Sequence, residues 1–422
     1  MTSLAPGGRS WLLAIFLSRV GAYMVYIAYA ATLPVLQREW SLSGTAAGSI
    51  ASAFQVAYAV SLMGCSALAD RVGARRVFLA GNLVSAVASI AFALLARDYW
   101  SGLGLYTLLA LALGGTYTTG ILLIAENVSV SRRGSAMGTY LAGHSLGLAL
   151  ALVLAGAAIS RGGYVLAFQL LAAGPVIGGL LAWVAMVSTA NVVTPRAGGQ
   201  RFGGAVLRNR PAMLVIAGYT FHSWELLGMW AWTPAFLAAC FVAAGAELSR
   251  GAGLGAYMTS LFHLTGMLAS LVAGIFADRF GRTPVILVMA TISALCSLVF
   301  GWLIGASLAL LMGVGLLYGF AALGDSPIYS TAITEVVAPA YRGAALALRS
   351  LLGYGAGAAA PLVFGAILDW YGIHTPGAWG WAFVSLGVAG IGAVASALAL
   401  HRTPAAAALH RTAVRTAVAS GR

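Results

Sequence analysis

Of the ionisable side chains inside the long apolar runs of this 422-residue chain, five stand out: Arg19, His222, Glu225, Asp325 and Arg349. Placing such a group at the centre of a membrane helix costs roughly 2.5–3.5 kcal/mol, so each is a candidate for function. His222 and Glu225 are one helical turn apart and share nearly the same face. A carboxyl whose surroundings alternate between water and apolar contacts could take up and release a proton, and Glu225 is the candidate carrier. The plainer reading is a structural Glu bonded to a hydroxyl, an amide or His222. Asp325 precedes Pro327, and Tyr318 and Tyr329 fall on its helical face. It reads as the partner of Arg349 in a structural ion pair, or as a gate or substrate clamp. Arg19 could snorkel to the interface, pair with an acid such as Asp325, or bind an anion, since its planar fork of donors suits carboxylates and inorganic oxyanions. Arginines left unpaired would favour an anionic solute, whereas arginines neutralised by acids would not. Trp224 offers a ring on which a solute could stack. His144 and His263 read as hydrogen-bonded packing residues.

The elements that hold these groups must be membrane-spanning helices. The chain is 61% hydrophobic and 8% charged, far below the roughly 25% charge of a soluble domain. Only helices and closed barrels satisfy their own backbone in lipid, and these apolar runs are too continuous for alternating barrel strands. Windows of about 20 apolar residues predict twelve spans: 11–36, 44–69, 76–96, 101–126, 134–159, 164–187, 212–239, 252–277, 284–302, 304–333, 343–368 and 378–400. The organisation expected is an N-terminal six-helix bundle (1–187), a linker (188–211), a C-terminal six-helix bundle (212–401) and a tail (402–422).

The formal charge is +13 and every basic residue is an arginine. The arginines sit at helix ends rather than in one patch, which argues against nucleic acid. Seventeen flank the spans on the side that holds both termini, four lie on the other side, and Arg19 and Arg349 are internal. This positive-inside bias predicts that both termini are cytoplasmic, in a multi-pass protein of the cell inner membrane. Cys65, Cys240 and Cys296 lack the spacing of a metal or redox motif.

The two halves repeat. Ser66-Ala-Leu-Ala-Asp70-Arg71-Val-Gly73-Ala-Arg75-Arg76 recurs as Gly274-Ile-Phe-Ala-Asp278-Arg279-Phe-Gly281-Arg282, an offset of 208 residues. Glu126, Arg133 and Gly134 recur as Glu335, Arg342 and Gly343 at an offset of 209. Two motifs at nearly one offset mark a duplicated unit. The glycine turns a short loop between helices. An ion-pair cluster of the Asp, Glu and Arg residues there would hold one arrangement of each half and break in another.

These motifs resemble those of the major facilitator superfamily. Gly274 to Arg282 matches the family's Gly-x-x-x-Asp-Arg-x-Gly-Arg loop, and the first copy departs from it at Ser66 and Ala74. The resemblance spans helix 1 to helix 12. It implies an all-α membrane fold of two six-helix bundles around a central cavity, alternating access, and a substrate site near the midplane. It also implies a cytoplasmic conformational latch at Asp70, Arg71, Gly73, Glu126, Arg133, Asp278, Arg279, Gly281, Arg282, Glu335 and Arg342. The helix-4 Arg and helix-5 Gly-Pro of the family's drug–proton antiporters are missing.

The expected function is secondary active transport of a small solute, anionic if its arginines stay unpaired and driven by protons. The solute and proton pathway would comprise Arg19, His222, Trp224, Glu225, Asp325, Tyr329 and Arg349. Proton-driven multidrug efflux is one alternative. A transporter-like receptor that no longer cycles is another. The expected partners are the lipid bilayer, protons and the solute, with the protein acting as a monomer. No motif suggests an enzyme or a cofactor; His263-Leu-Thr-Gly-Met267 resembles the His-x-x-x-Met of the superfamily's copper importers, but helix 7 lacks their Met-x-x-x-Met and no metal centre is expected.

Overall fold

The computed structural model describes residues 4–193, 204–338, 341–373 and 375–404. Arg196 and Arg201 of the expected linker, and Arg411, Arg415 and Arg422 of the expected tail, lie outside the described residues. The first seven helices are α1 (Arg9–Tyr23), α2 (Ala28–Glu39), α3 (Gly44–Val72), α4 (Ala74–Leu95), α5 (Tyr99–Asn127), α6 (Val130–Met186) and the short α7 (Gly204–Leu207). The rest are α8 (Arg210–Ala243), α9 (Leu248–Phe280), α10 (Arg282–Phe300), α11 (Leu308–Gly324), α12 (Ser326–Val336), α13 (Arg342–Tyr371) and α14 (Pro376–His401).

Eleven helical stretches among the described residues are long and apolar enough to cross a bilayer. The longest, Ser135–Met186, has 52 residues. At about 1.5 Å per residue it would measure roughly 78 Å, more than twice the ~30 Å hydrocarbon core. It is two crossings joined at Gly162 and Gly163, where Gly163 has φ +65°. A side chain is disfavoured in that conformation, and glycine is not. The spans therefore number twelve, as the hydropathy predicts. Leu83, Leu95, Trp100 and Trp370 stand exposed, as lipid-facing side chains do in a bilayer.

Two of the crossings are interrupted. The first breaks between α1 and α2, where Met24, Tyr26 and Ala28 donate to carbonyls three residues back. The carbonyl of Tyr26 accepts instead from the Tyr106 hydroxyl of α5. The tenth breaks at Asp325, between α11 and α12. Pro327 has no N–H for the Leu323 carbonyl, and Ser270 Oγ of α9 stands 3.1 Å from that oxygen. At the first break the Tyr106 hydroxyl supplies the missing donor, and at the second the Ser270 hydroxyl, also 3.1 Å from the Gly266 carbonyl, has one hydrogen for the two oxygens.

By packing, the described residues of 1–197 and 233–263 form one unit, and those of 198–232 and 264–422 form the other. In the first unit α1 lies against α6 along a glycine face of Gly21, Gly174 and Gly178. A Cβ on Gly174 would sit 2.7 Å from the Gly21 carbonyl oxygen. Small residues of this kind let membrane helices approach closely. In the second unit α10 packs on α14 and α11, and Val215, Ile286, Ile328 and Ile333 are buried together.

Gly174→Leu should lower the thermal unfolding midpoint in detergent, an overpacking cost of about 1–3 kcal/mol. The same substitution at Gly138, where a Cβ meets open space, should shift it much less. Asp98 caps α5 by accepting from the Ser101 backbone N–H. That bond and the Ser101 hydroxyl hold its carboxyl below the ordinary range. A depressed value means the stabilisation is present at neutral pH and lost as pH falls through it. Asp98→Ala should therefore destabilise at pH 7, and its difference from wild type should close on acidification.

Candidate functional site

Each unit buries its own polar cluster. In the second unit the cluster is built on α8, α10, α11, α12 and α13. Glu225 of α8 is 3% exposed. Its Oε1 accepts from Ser293 Oγ at 2.7 Å and from Ser297 Oγ at 2.8 Å. The two serines are one turn apart on α10 and so present one polar edge from an apolar helix. Ser297 is also hydrogen-bonded to the Tyr318 hydroxyl of α11. On the other side Gly390 makes room: a Cβ there would lie 3.0 Å from Glu225 Oε2. Among the described residues no basic side chain is within 4 Å of the Glu225 carboxyl.

One turn away, His222 Nδ1 lies 3.0 Å from Asp325 Oδ1, with both side chains buried. The break between α11 and α12 brings Asp325 to this histidine. Tyr329 stands beside it, with its ring centroid 5.8 Å from His222 and 6.0 Å from Tyr219. Arg349 takes a different partner from the one expected. Its Nη1 donates to Ser330 Oγ at 2.6 Å, and its guanidinium carbon lies 4.0 Å over the Tyr219 ring. Asp325 thus pairs with the histidine, while the arginine across the helices is held by a hydroxyl and a π face. Trp224 does not join this group. Neighbouring positions on a helix face different ways, and its indole N–H has no hydrogen-bond partner among the described residues.

In the first unit Arg19 is 3% exposed. Three tyrosine rings surround its guanidinium carbon: Tyr23 at 4.3 Å, Tyr140 at 4.6 Å and Tyr117 at 4.9 Å. Cation–π attraction of this kind strengthens when desolvated. Nε and Nη1 of Arg19 have no hydrogen-bond partner, and no carboxylate is within 4 Å, among the described residues. Tyr140 is fixed by its hydroxyl, which donates to the Thr116 carbonyl at 2.7 Å.

The two loop repeats differ in their bonding. Gly73 and Gly281 turn their loops at φ +95° and +92°. In the second copy Arg282 bridges Asp278 through Nη1, and Glu335 through Nη2 at 3.2 Å. Arg342 donates from Nε to the Thr334 carbonyl at 2.9 Å, and Arg279 lies over Phe280. In the first copy Ala74 occupies the position of Arg282, so no such bridge forms. Arg75 donates to the Met186 carbonyl at 2.9 Å, and Arg133 reaches the Val128 carbonyl at 3.4 Å. Neither Glu126 nor Arg71 has a polar partner among the described residues. Asn191, from the expected linker, fills the first turn instead. It donates to the Val72 carbonyl at 2.8 Å and accepts from the Arg76 N–H at 3.3 Å.

Sequence reasoning missed Ser293, Ser297, Gly390, Asn191 and the tyrosines around Arg19. Only the serines left a readable signal, a pair of hydroxyls one turn apart in an apolar span.

Twelve crossings in a duplicated arrangement, with charged groups buried in each half, define a multi-pass transport protein. The chain belongs to the Major Facilitator Superfamily, whose family model matches residues 12–249 and 241–419. It is a secondary transporter and not an enzyme. It is 32% identical over 123 residues to the "Probable 4-methylmuconolactone transporter" of Cupriavidus pinatubonensis. That match spans 29% of this chain and 28% of the relative's length. Among solved structures, a mutant of the nucleoside transporter NupG superposes with a TM-score of 0.76 at 15% identity, covering 93% of this chain and all of that one. A bacterial homolog of the human lysosomal transporter Spinster, inward-facing and unoccupied, superposes at 0.67 with 18% identity, covering 97% of each chain. At these identities the superpositions establish the fold alone.

Arg282→Ala should destabilise the protein by about 1–3 kcal/mol, the usual scale for hydrogen bonds to charged groups. A double-mutant cycle should give larger coupling for Arg282 with the mostly buried Glu335 than with Asp278, which is half exposed. An equal coupling between Arg75 and Glu126 would contradict the asymmetry of the two loops.

Proposed function

We propose that this transporter moves a small anionic solute together with protons by alternating access between two six-helix halves, residues 1–187 and 212–401. Glu225 is the proton carrier in this reading. One observation carries it: a buried carboxyl held by two serine hydroxyls, with no basic side chain in ion-pair reach among the described residues. A hydroxyl can donate to a carboxylate or accept from a carboxylic acid. The two hydroxyls can therefore serve Oε1 in either protonation state. A Glu locked to an arginine could not shed its charge so readily. The His222–Asp325 pair next to it is a second group able to exchange a proton.

The solute's charge follows from the other half. Drug efflux would call for Arg19 and Arg349 to be cancelled by acids. Arg19 has no carboxylate within 4 Å among the described residues, and Arg349 bonds a serine. The muconolactone in the relative's name suits a small organic solute of this kind. The arginine distribution places both termini on the cytoplasmic face of the inner membrane, with the Asp278–Arg282–Glu335 bridge as the latch on that face.

Glu225→Gln, reconstituted in proteoliposomes, should abolish accumulation driven by a pH gradient and spare solute exchange at equal pH. Gradient-driven accumulation at the wild-type level would remove Glu225 as the carrier.

A further inference from the structure

We propose that Arg19 and the tyrosines around it are the binding site for the carboxylate of a singly charged organic acid with a planar body. The inference rests on the transport reading above and names its substrate class.

The case begins with charge balance. A guanidinium cannot shed its proton in a protein, so Arg19 stays cationic however deeply it is buried. Burying a charge without a counter-charge is expensive, and proteins normally pair it. Arg19 is 3% exposed, and its nearest charged neighbours among the described residues include no acid within 4 Å. Rings cradle the cation but do not neutralise it. The guanidinium carbon lies over the Tyr23, Tyr140 and Tyr117 rings, and a ring face does not replace the oxygen acceptors its N–H donors need. Nε and Nη1 have no acceptor among the described residues. Nε and Nη1 lie on different edges of the fork, so a carboxylate in the guanidinium plane would meet one of them together with Nη2.

The surroundings hold the cation in place. The Tyr140 hydroxyl is tied to the Thr116 carbonyl, and a Cβ on Gly120 would collide with it. The Tyr23 hydroxyl is bonded to that of Tyr58 at 2.5 Å. Tyr117 is only half buried, which makes it the ring that an entering acid displaces. The same rings offer stacking faces to a planar body. Only one guanidinium stands in the cage, so a second carboxylate on the solute would be buried without a partner. That selects a monoanion.

The test uses the full-length purified protein and four probes: benzoate, benzamide, phthalate and benzylamine. Benzoate should raise the thermal unfolding midpoint in a saturable way. Benzamide, its neutral counterpart, should bind at least tenfold more weakly, as should phthalate and benzylamine. Arg19→Gln should remove the benzoate response, and Arg19→Lys should retain a weakened one. Arg161→Gln, which removes an exposed charge elsewhere in the same unit, should leave it intact. Equal stabilisation of the wild type by benzamide would overturn the proposal without need of any variant. So would an undiminished benzoate response in Arg19→Gln. Transport separates the two readings. If Arg19→Gln still accumulates benzoate under a pH gradient, the site falls and the proton-coupled transporter stands. If benzoate binds through Arg19 but the wild type never accumulates it, the site stands and the coupling falls.

Discussion

Lipid supplies no hydrogen bonds, and this requirement governs the rest of the structure. Every carbonyl freed from a helix and every charge placed inside one must be answered by protein. The interruption after Tyr23 exposes the Tyr26 carbonyl, and the Tyr106 hydroxyl meets it. The interruption at Asp325 frees the Leu323 carbonyl, and Ser270 lies within reach of it. Glu225 enters the apolar interior with two serine hydroxyls. The answer is least complete at Arg19, which has three tyrosine rings but no hydrogen-bond acceptor for Nε and Nη1 among the described residues.

The interruptions also do positional work. A continuous tenth helix would carry Asp325 onward along its spiral. The turn at Gly324–Pro327 instead sets its carboxyl against His222. The break after α1 comes one turn beyond Arg19, close to Tyr23, which forms part of its cage. Discontinuous helices are the usual means by which membrane transporters present polar groups at depth, and both are used here beside charged residues.

The duplication has diverged in chemistry while keeping its geometry. Both loops turn on a positive-φ glycine. The second is tied by an arginine between two acids, and the first by an amide between backbone groups. One change accounts for this: Ala74 has no charge to bridge the first pair of acids. The buried clusters have diverged in the same sense. The second cluster sets two acids beside a histidine and an arginine, and a lone arginine among tyrosines defines the first.

Much of the fold was legible because it depends on one-dimensional quantities. Run lengths of apolar residues gave the twelve crossings, and the helical break at Gly163 explains why two of them join. The motif repeat at an offset of 208–209 residues marked the duplication. The ionisable residues inside the spans could be named for the same reason, since insertion cost depends on residue type and depth. Their partners could not be named. Asp325 seemed suited to Arg349, and it met His222 because the break in the tenth helix turned it. Tyr117 and Tyr140 meet Arg19 from helices about a hundred residues away in sequence, a relation with no local signature. The sequence by itself determined which groups are buried and how many helices bury them, because hydrophobicity is additive along the chain. Only the tertiary structure decided that Glu225 is held by hydroxyls and Arg19 by rings, because hydrogen bonds and cation–π contacts depend on angstrom-scale distances between helices.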